Sequence, residues 1–345
     1  MKKTWILISL LTSTSSFAVP VYESKTTNLD LYGRIYAGIF SGDYGEKNQS
    51  FTRLGTKFDS TFNDGVKGIA RMELQYGMPD SGEKLDNIRM RLAFGGIETN
   101  YGTVTFGRDY GALELLAGKT MRAFADGFGN KAIGQGTDKF GTGRSSNLLK
   151  YAVHIHNLEL NTSVVFANST TEFASNKNTD KSDSQKAAGI AGLYTFDNGL
   201  SAGLGYNYGE RPDDKPAHEL AIAFIGYQKD KFKAAVNYGH GKNTTHFKHD
   251  HDYYGHNGID AYANYKITKQ FEAQVYYSNL VVEGQSDADG KGGRHSALIG
   301  ARYFFSPRAQ AIVEYKFDLR GNDADWSDTK AVKGNEVTFG LRYDF

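Results

Sequence analysis

Three groups of side chains in this sequence could do chemistry together. The first is the stretch Gly107–Arg144, GRDYGALELLAGKTMRAFADGFGNKAIGQGTDKFGTGR, where Glu114, Lys119, Arg122 and Asp126 put both signs of charge on a Gly-rich connection. A connection this long inside a compact domain usually has a job, and charges of both signs beside a water path would bias the passage of ions. The second group is arginine: Arg34, Arg53, Arg89 and Arg91, with Arg144 closing the stretch. The third is histidine, since His240, His246, His249, His251 and His256 are five of the chain's 9. Within it, His249-Asp250-His251-Asp252 could offer nitrogen and oxygen to a metal; a polar outer loop accounts for the same composition, so no metal is assigned. Clustered imidazoles could also respond to mild acid. A hydrolytic site would need a nucleophile beside its base, and His154, His156 and Ser163 are available. Nothing in their spacing ties them into a triad, alternation turns both histidines to the polar face that would line a lumen, and an enzyme is not expected.

The elements that position these groups begin with an export label. Met1-Lys2-Lys3 is basic, Trp5–Leu11 is mostly apolar, and Ser16-Phe17-Ala18 has small residues where a signal peptidase reads. The apolar run is too short for a spanning helix, so residues 1–18 are expected to be a cleaved signal peptide, with a single domain over 19–345. The chain has 0 Cys, which removes disulfides and thiolate metal sites. A formal net charge of +1 gives no case for nucleic acid. A mean hydropathy of -0.51, with no long apolar run after residue 18, excludes membrane-spanning helices. With Gly 40, Tyr 22 and Phe 22 against Pro 5, the profile is that of an antiparallel all-β chain, whose membrane band can hide in alternation.

Alternation runs the length of the chain. Leu29, Leu31, Ile35, Ala37 and Ile39 share one face, and Asp30, Tyr32, Arg34 and Tyr36 the other. Ile88, Met90, Leu92 and Phe94 oppose Arg89 and Arg91; Val337, Phe339, Leu341, Tyr343 and Phe345 oppose Arg342 and Asp344. Connections alternate too. Tight-turn chemistry at Phe62-Asn63-Asp64-Gly65, Asp197-Asn198-Gly199, Lys229-Asp230-Lys231 and Ser306-Pro307 is interleaved with long polar stretches near 41–50, 78–86, 169–184, 241–254, 283–293 and 321–334. This asymmetry belongs to outer-membrane barrels, with short periplasmic turns and long outer loops. The count is roughly sixteen strands, enough to keep an aqueous lumen. Arg34, Arg53, Arg89 and Arg91 then face water, with Lys57 and Arg71 beside them, and 107–144 can fold inward as a constriction loop.

Several short motifs in order carry a family resemblance: Asp30-Leu31-Tyr32-Gly33-Arg34, Arg53-Leu54-Gly55, Arg91-Leu92-Ala93-Phe94, Phe106-Gly107-Arg108-Asp109-Tyr110-Gly111 and the closing Leu341-Arg342-Tyr343-Asp344-Phe345. The chain resembles a general, non-specific porin of the Gram-negative outer membrane, of the OmpF/OmpC/OmpU type, over its whole mature length. The resemblance implies a 16-stranded homotrimer embedded in outer-membrane lipid and lipopolysaccharide, passing small hydrophilic solutes without a cofactor. It also implies a third loop folded into each pore, and a C-terminal row (Phe339, Leu341, Tyr343, Phe345) read by the barrel-assembly machinery. The family's Pro-Glu-Phe-Gly-Gly-Asp loop tip matches Arg122–Gly127 best. Asp126 is kept there, Pro and Glu are missing, and Lys119 and Arg122 add positive charge. The other reading carried forward is a substrate-specific channel, for sugars say, since Tyr32, Tyr36, Tyr262 and Tyr276 are expected to face the lumen.

Overall fold

The computed structural model describes residues 18–43, 45–78, 88–120, 124, 140–166, 186–211, 215–246, 253–283, 293–319 and 334–345. Among them run eighteen strand segments and one short helix. The strands are β1 (Val19–Glu23), β2 (Thr27–Gly42), β3 (Gly45–Asn48), β4 (Phe51–Asn63), β5 (Val66–Gly77), β6 (Ile88–Thr99), β7 (Gly102–Tyr110), β8 (Arg144–Ile155), β9 (Leu158–Val165), β10 (Ala187–Thr195), β11 (Leu200–Gly209), β12 (His218–Lys229), β13 (Phe232–His246), β14 (Tyr253–Lys266), β15 (Phe271–Val282), β16 (Gly293–Phe304), β17 (Ala309–Asp318) and β18 (Glu336–Asp344), with α1 (Glu114–Ala117) between β7 and β8. Every strand pairs antiparallel with its neighbours in one sheet. The sheet closes because β18 pairs with β2 and β9 pairs with β10.

Sixteen strands make the barrel, since two segments extend others. β3 and β4 follow one another along the same edge of β2, broken at residues 49–50. β1 continues the line of β18: Asp344 lies opposite Arg34, Phe345 exchanges backbone hydrogen bonds with Gly33, and Val19 lies opposite Leu31. Closure leaves no ladder edge, the condition for a sheet to cross a bilayer.

The side-chain period of two separates a wet face from a membrane face. Ile35, Ile39, Leu204, Tyr206, Ile225, Val275, Phe339 and Leu341 are exposed on the outside, Leu204 at 72 % and Leu341 at 60 %. Polar Glu73, Gln75, Asn207, Asn237, Asp260, Gln274 and Glu314 are buried on the inside. At one end the turns are tight. Asp64-Gly65, His156-Asn157 and Asp230-Lys231 each join paired strands directly, with left-handed backbone at Gly65 (φ 85°), His156 (φ 54°) and Asp230 (φ 50°). His156 is therefore a turn residue, and not a lumen residue as alternation alone suggests.

Two other expectations need correcting. Strict alternation puts Leu92 and Phe94 with Ile88 and Met90, but β6 carries a bulge: Leu74 faces Met90 while Glu73 faces Leu92, leaving Arg91 as the extra residue. The bulge flips the later residues inward, so Leu92 is only 3 % exposed. The polar stretch expected as a loop over 241–254 is mostly strand, because β13 runs to His246 and β14 starts at Tyr253.

Candidate pore lining and constriction

Charged residues on β2, β4, β5, β6 and β15–β18 line one side of the inner wall. Glu73 on β5 is its hub. The carboxylate takes a 2.5 Å hydrogen bond from Arg91 Nε on β6 and a 3.0 Å bond from the Tyr32 hydroxyl on β2. Arg53 Nε and Arg71 Nη2 stand 3.7 and 3.6 Å from it. Gln75, two residues on, accepts from Arg53 Nη2 at 2.8 Å and from Arg91 Nη1 at 3.2 Å. Arg71 also donates to the Tyr32 hydroxyl at 2.7 Å and lies over its ring. Around the seam, Arg34 and Arg342 both bind Asp344, at 2.7 Å each. Farther along, Arg302 is paired with Glu272, and Lys316 holds Glu336 at 2.9 Å.

The facing wall is different. Ala191 and Leu193 of β10, Leu220, Ile222 and Phe224 of β12 and Ala235 of β13 form an apolar patch on the inner face, joined by Leu113, Leu115, Leu116 and Ala117 of the connection after β7. Leu113 and Leu116 are 0 % exposed. Burying such a leucine contributes roughly 1.5–3 kcal/mol, enough to hold a short helix that would not form alone. Polar contacts fix its ends. Ser163 on β9 accepts from the Ala112 amide at 3.0 Å, and Asn237 on β13 donates to the Leu116 carbonyl at 3.0 Å and to the Thr120 hydroxyl at 2.8 Å. Phe124 lies among Tyr36, Phe51 and Ile312, its amide donating to Glu314 at 2.6 Å and its ring under Arg302. The described part of the connection, 111–120, Phe124 and 140–143, therefore touches inward-facing residues from β9 round to β17 and on to β2 and β4.

The expected site residues divide accordingly. Arg53 and Arg91 meet at Glu73, and Arg34 lies at the seam with Asp344. Arg89 lies opposite Gln75 and is exposed. Arg144 opens β8 with its guanidinium over the Tyr110 ring. Glu114 begins α1 and Lys119 follows it, both partly exposed. Arg122 and Asp126 lie outside the described residues, as do residues 1–17, His249 and His251. His240 points to the outer face with Asn257, whereas His256 is buried inside, bonded to Thr244. Phe339, Leu341 and Tyr343 form an outward row, and the Phe345 ring stacks on Tyr343. Glu73, Glu272, Arg302, Glu314 and Asp344 were not among the candidates. Alternation from Arg71 reaches Glu73 in two residues, so that signal was present.

A closed sixteen-strand barrel with an apolar outside, a charged inside and short turns at one end is an outer-membrane diffusion channel. The profile of the Gram-negative porin family matches residues 6–343, and the chain belongs to that family. It is 26% identical to outer membrane porin N of Escherichia coli (strain K12), across 99% of this chain and 98% of the relative. To outer membrane protein U of Vibrio parahaemolyticus it is 26% identical, with 100% of both chains covered. Among solved structures it resembles Salmonella typhi OmpF in complex with daunomycin, with a TM-score of 0.81 at 21% identity over 95% of this chain and all of that one. OmpT of Vibrio cholerae in its trimer form aligns with a TM-score of 0.65 at 16% identity, over 93% of this chain and 100% of the other. The chain is a general porin of the outer membrane, and the members of its family are channels.

Proposed function

We propose that Gly107–Arg144 is the constriction loop of this porin. In this reading Asp126, with Glu114, faces Arg34, Arg53, Arg89, Arg91 and Arg144 across the narrowest water, and Lys119 and Arg122 offset part of the loop's negative charge. The supporting observation is Phe124, two residues before Asp126, bound through its amide to inward-facing Glu314 and lying against the charged half of the wall. Selectivity is then graded and weak, because a unit charge about 10 Å from a passing ion in water contributes on the order of 0.4 kcal/mol. The wild type leans slightly to cations. Asp126→Asn is expected to move the reversal potential toward anions. Arg91→Ala should raise conductance and move it toward cations, each by a few tenths of a kcal/mol at low salt. Planar-bilayer recordings in salt gradients test both; no change in either would mean that this stretch does not form the constriction.

The sugar-channel reading gains no support from the tyrosines that suggested it. Tyr32 is committed to Glu73 and Arg71, Tyr36 is packed on Phe51, Tyr276 donates to Asp260, and Tyr262 packs against the apolar patch.

Export and assembly complete the reading: cleavage after Ala18, a homotrimer in lipid and lipopolysaccharide, and a C-terminal row read by the assembly machinery. β1 starts at Val19 and takes up the line that β18 leaves at Phe345, which suits a chain end at that point. Native mass measurement in mild detergent should return three chains, each beginning at Val19. A monomer, or retained residues 1–18, would overturn the corresponding part.

A further inference from the structure

We infer that the lumen is functionally one-sided. The sector lined by β10–β13 is sealed by α1 as a dry seat, solutes pass only along the charged sector, and Gly205 on β11 sets how far α1 stands out from the wall. This inference rests on the constriction reading and adds which wall carries the loop and which residue sets the gap.

The inner face of a porin-sized barrel is ordinarily polar because it meets water. Here neighbouring strands put Ala191, Leu193, Leu220, Ile222, Phe224 and Ala235 there, and α1 covers them. Between β10 and β12 runs β11, whose inward positions include Gly203 and Gly205. A Cβ on Gly205 would stand 2.6 Å from Leu113 Cδ2, 3.2 Å from Leu116 Cδ1 and 3.2 Å from the Ala191 Cβ. A Cβ on Gly203 would stand 2.4 Å from Leu116 Cδ2, though also 2.7 Å from the Gly192 carbonyl oxygen. The two glycines are thus a slot into which the leucines of α1 drop. At Gly205 the three atoms nearest to an added Cβ are all side-chain atoms, and two of the three belong to α1 or the residue before it. Enlarging residue 205 therefore pushes on the loop and leaves the ladder alone. The Ser163 and Asn237 hydrogen bonds keep the ends of the segment on the wall, so the middle has to bow toward the pore axis. Gly205 is a positioning residue: it touches no solute, yet it sets the width of the path on the far side of the helix.

Two experiments test this. Gly205→Val should lower single-channel conductance about twofold through overpacking, and adding Leu113→Ala should restore most of it by emptying the slot. Unchanged or raised conductance in Gly205→Val, or a loss that Leu113→Ala leaves in place, overturns the inference. Because the chain has 0 Cys, the pair Leu113→Cys and Gly205→Cys can be oxidised without side reactions. A crosslink forming in folded, heat-modifiable barrels, with conductance kept near wild type, supports the permanent seat even if the valine variant fails to fold. Absence of a crosslink, or a crosslink that shuts the pore, overturns it. The Asp126→Asn measurement separates the two readings. A shifted reversal potential with an inert Gly205→Val keeps the constriction and removes the seat; a crosslinked but electrically inert loop removes the constriction itself.

Discussion

Gly33→Val, or deletion of Phe345, is expected to abolish most recovery of folded barrel from the outer membrane, whereas Gly95→Ala is expected to leave it near wild type. The reason lies at the seam. Gly33 donates to the Phe345 carbonyl at 2.7 Å and accepts from its amide at 3.1 Å, so these residues make the last rung between the final strand and β2. The Phe345 ring lies across the bare Cα of Gly33: a Cβ there would stand 2.5 Å from Phe345 Cζ and 2.6 Å from the Arg53 carbonyl oxygen. The ring could swing away, but the carbonyl belongs to the β2–β4 ladder and cannot. Overpacking of this kind costs about 1–3 kcal/mol in an ordinary core. At a closure seam the consequence is larger, since an unclosed barrel leaves strand edges unsatisfied in lipid. At Gly95 an added Cβ would find its nearest neighbour 3.8 Å away, which makes it a fair control. Heat-modifiable migration of the outer-membrane fraction reads the result; wild-type recovery of Gly33→Val would remove Phe345 docking as a requirement for closure.

Period-two reasoning carried the fold a long way. The outward row Val337–Phe345 and the inward Arg34, Arg53 and Arg91 could be placed because a strand in a closed barrel has only two faces. It failed where the backbone departs from that period. Nothing local in Arg89-Met90-Arg91-Leu92 announces a bulge, and one extra residue carried Leu92 and Phe94 to the other side. The left-handed turn at His156 is a failure of the same kind. The apolar seat was illegible for another reason. Ala191, Leu193, Ile222 and Phe224 look like lipid-facing residues until the register shows them inside, and the register of β10–β12 depends on pairing across the whole barrel. Leucines 113, 115 and 116 were in plain view within the loop. Their partners on β10, β12 and β13, far along the chain, could be found only by closing the sheet.

Glu73→Gln is expected to give the largest change of ion preference of any single substitution in the wall, toward anions. Three guanidiniums, of Arg53, Arg71 and Arg91, surround this one carboxylate, so the cluster goes from two net positive charges to three. Glutamine keeps the size and can still accept from Arg91, so the geometry should hold and the charge alone should change. Asp126→Asn alters a charge on the loop. Glu73→Gln alters one that lies among three fixed cations, and it leaves their positive charge less offset toward passing anions. A unit charge in water is worth about 0.4 kcal/mol at 10 Å and about 1 kcal/mol at 4 Å, which corresponds to a two- to fivefold change for each ion, a gain for chloride and a loss for potassium, and so to a larger rise in their permeability ratio. That rise should be read at about 0.1 M salt, where the Debye length is about 10 Å, and should largely vanish at 1 M, where it is about 3 Å. Single-channel conductance should change little, because no atom is added to the water path. A rise in permeability ratio that persists at 1 M would mean that the arginines had moved and opened new space. No rise at 0.1 M would mean that ions pass out of reach of β5, and the charged half of the wall would not be the conducting half.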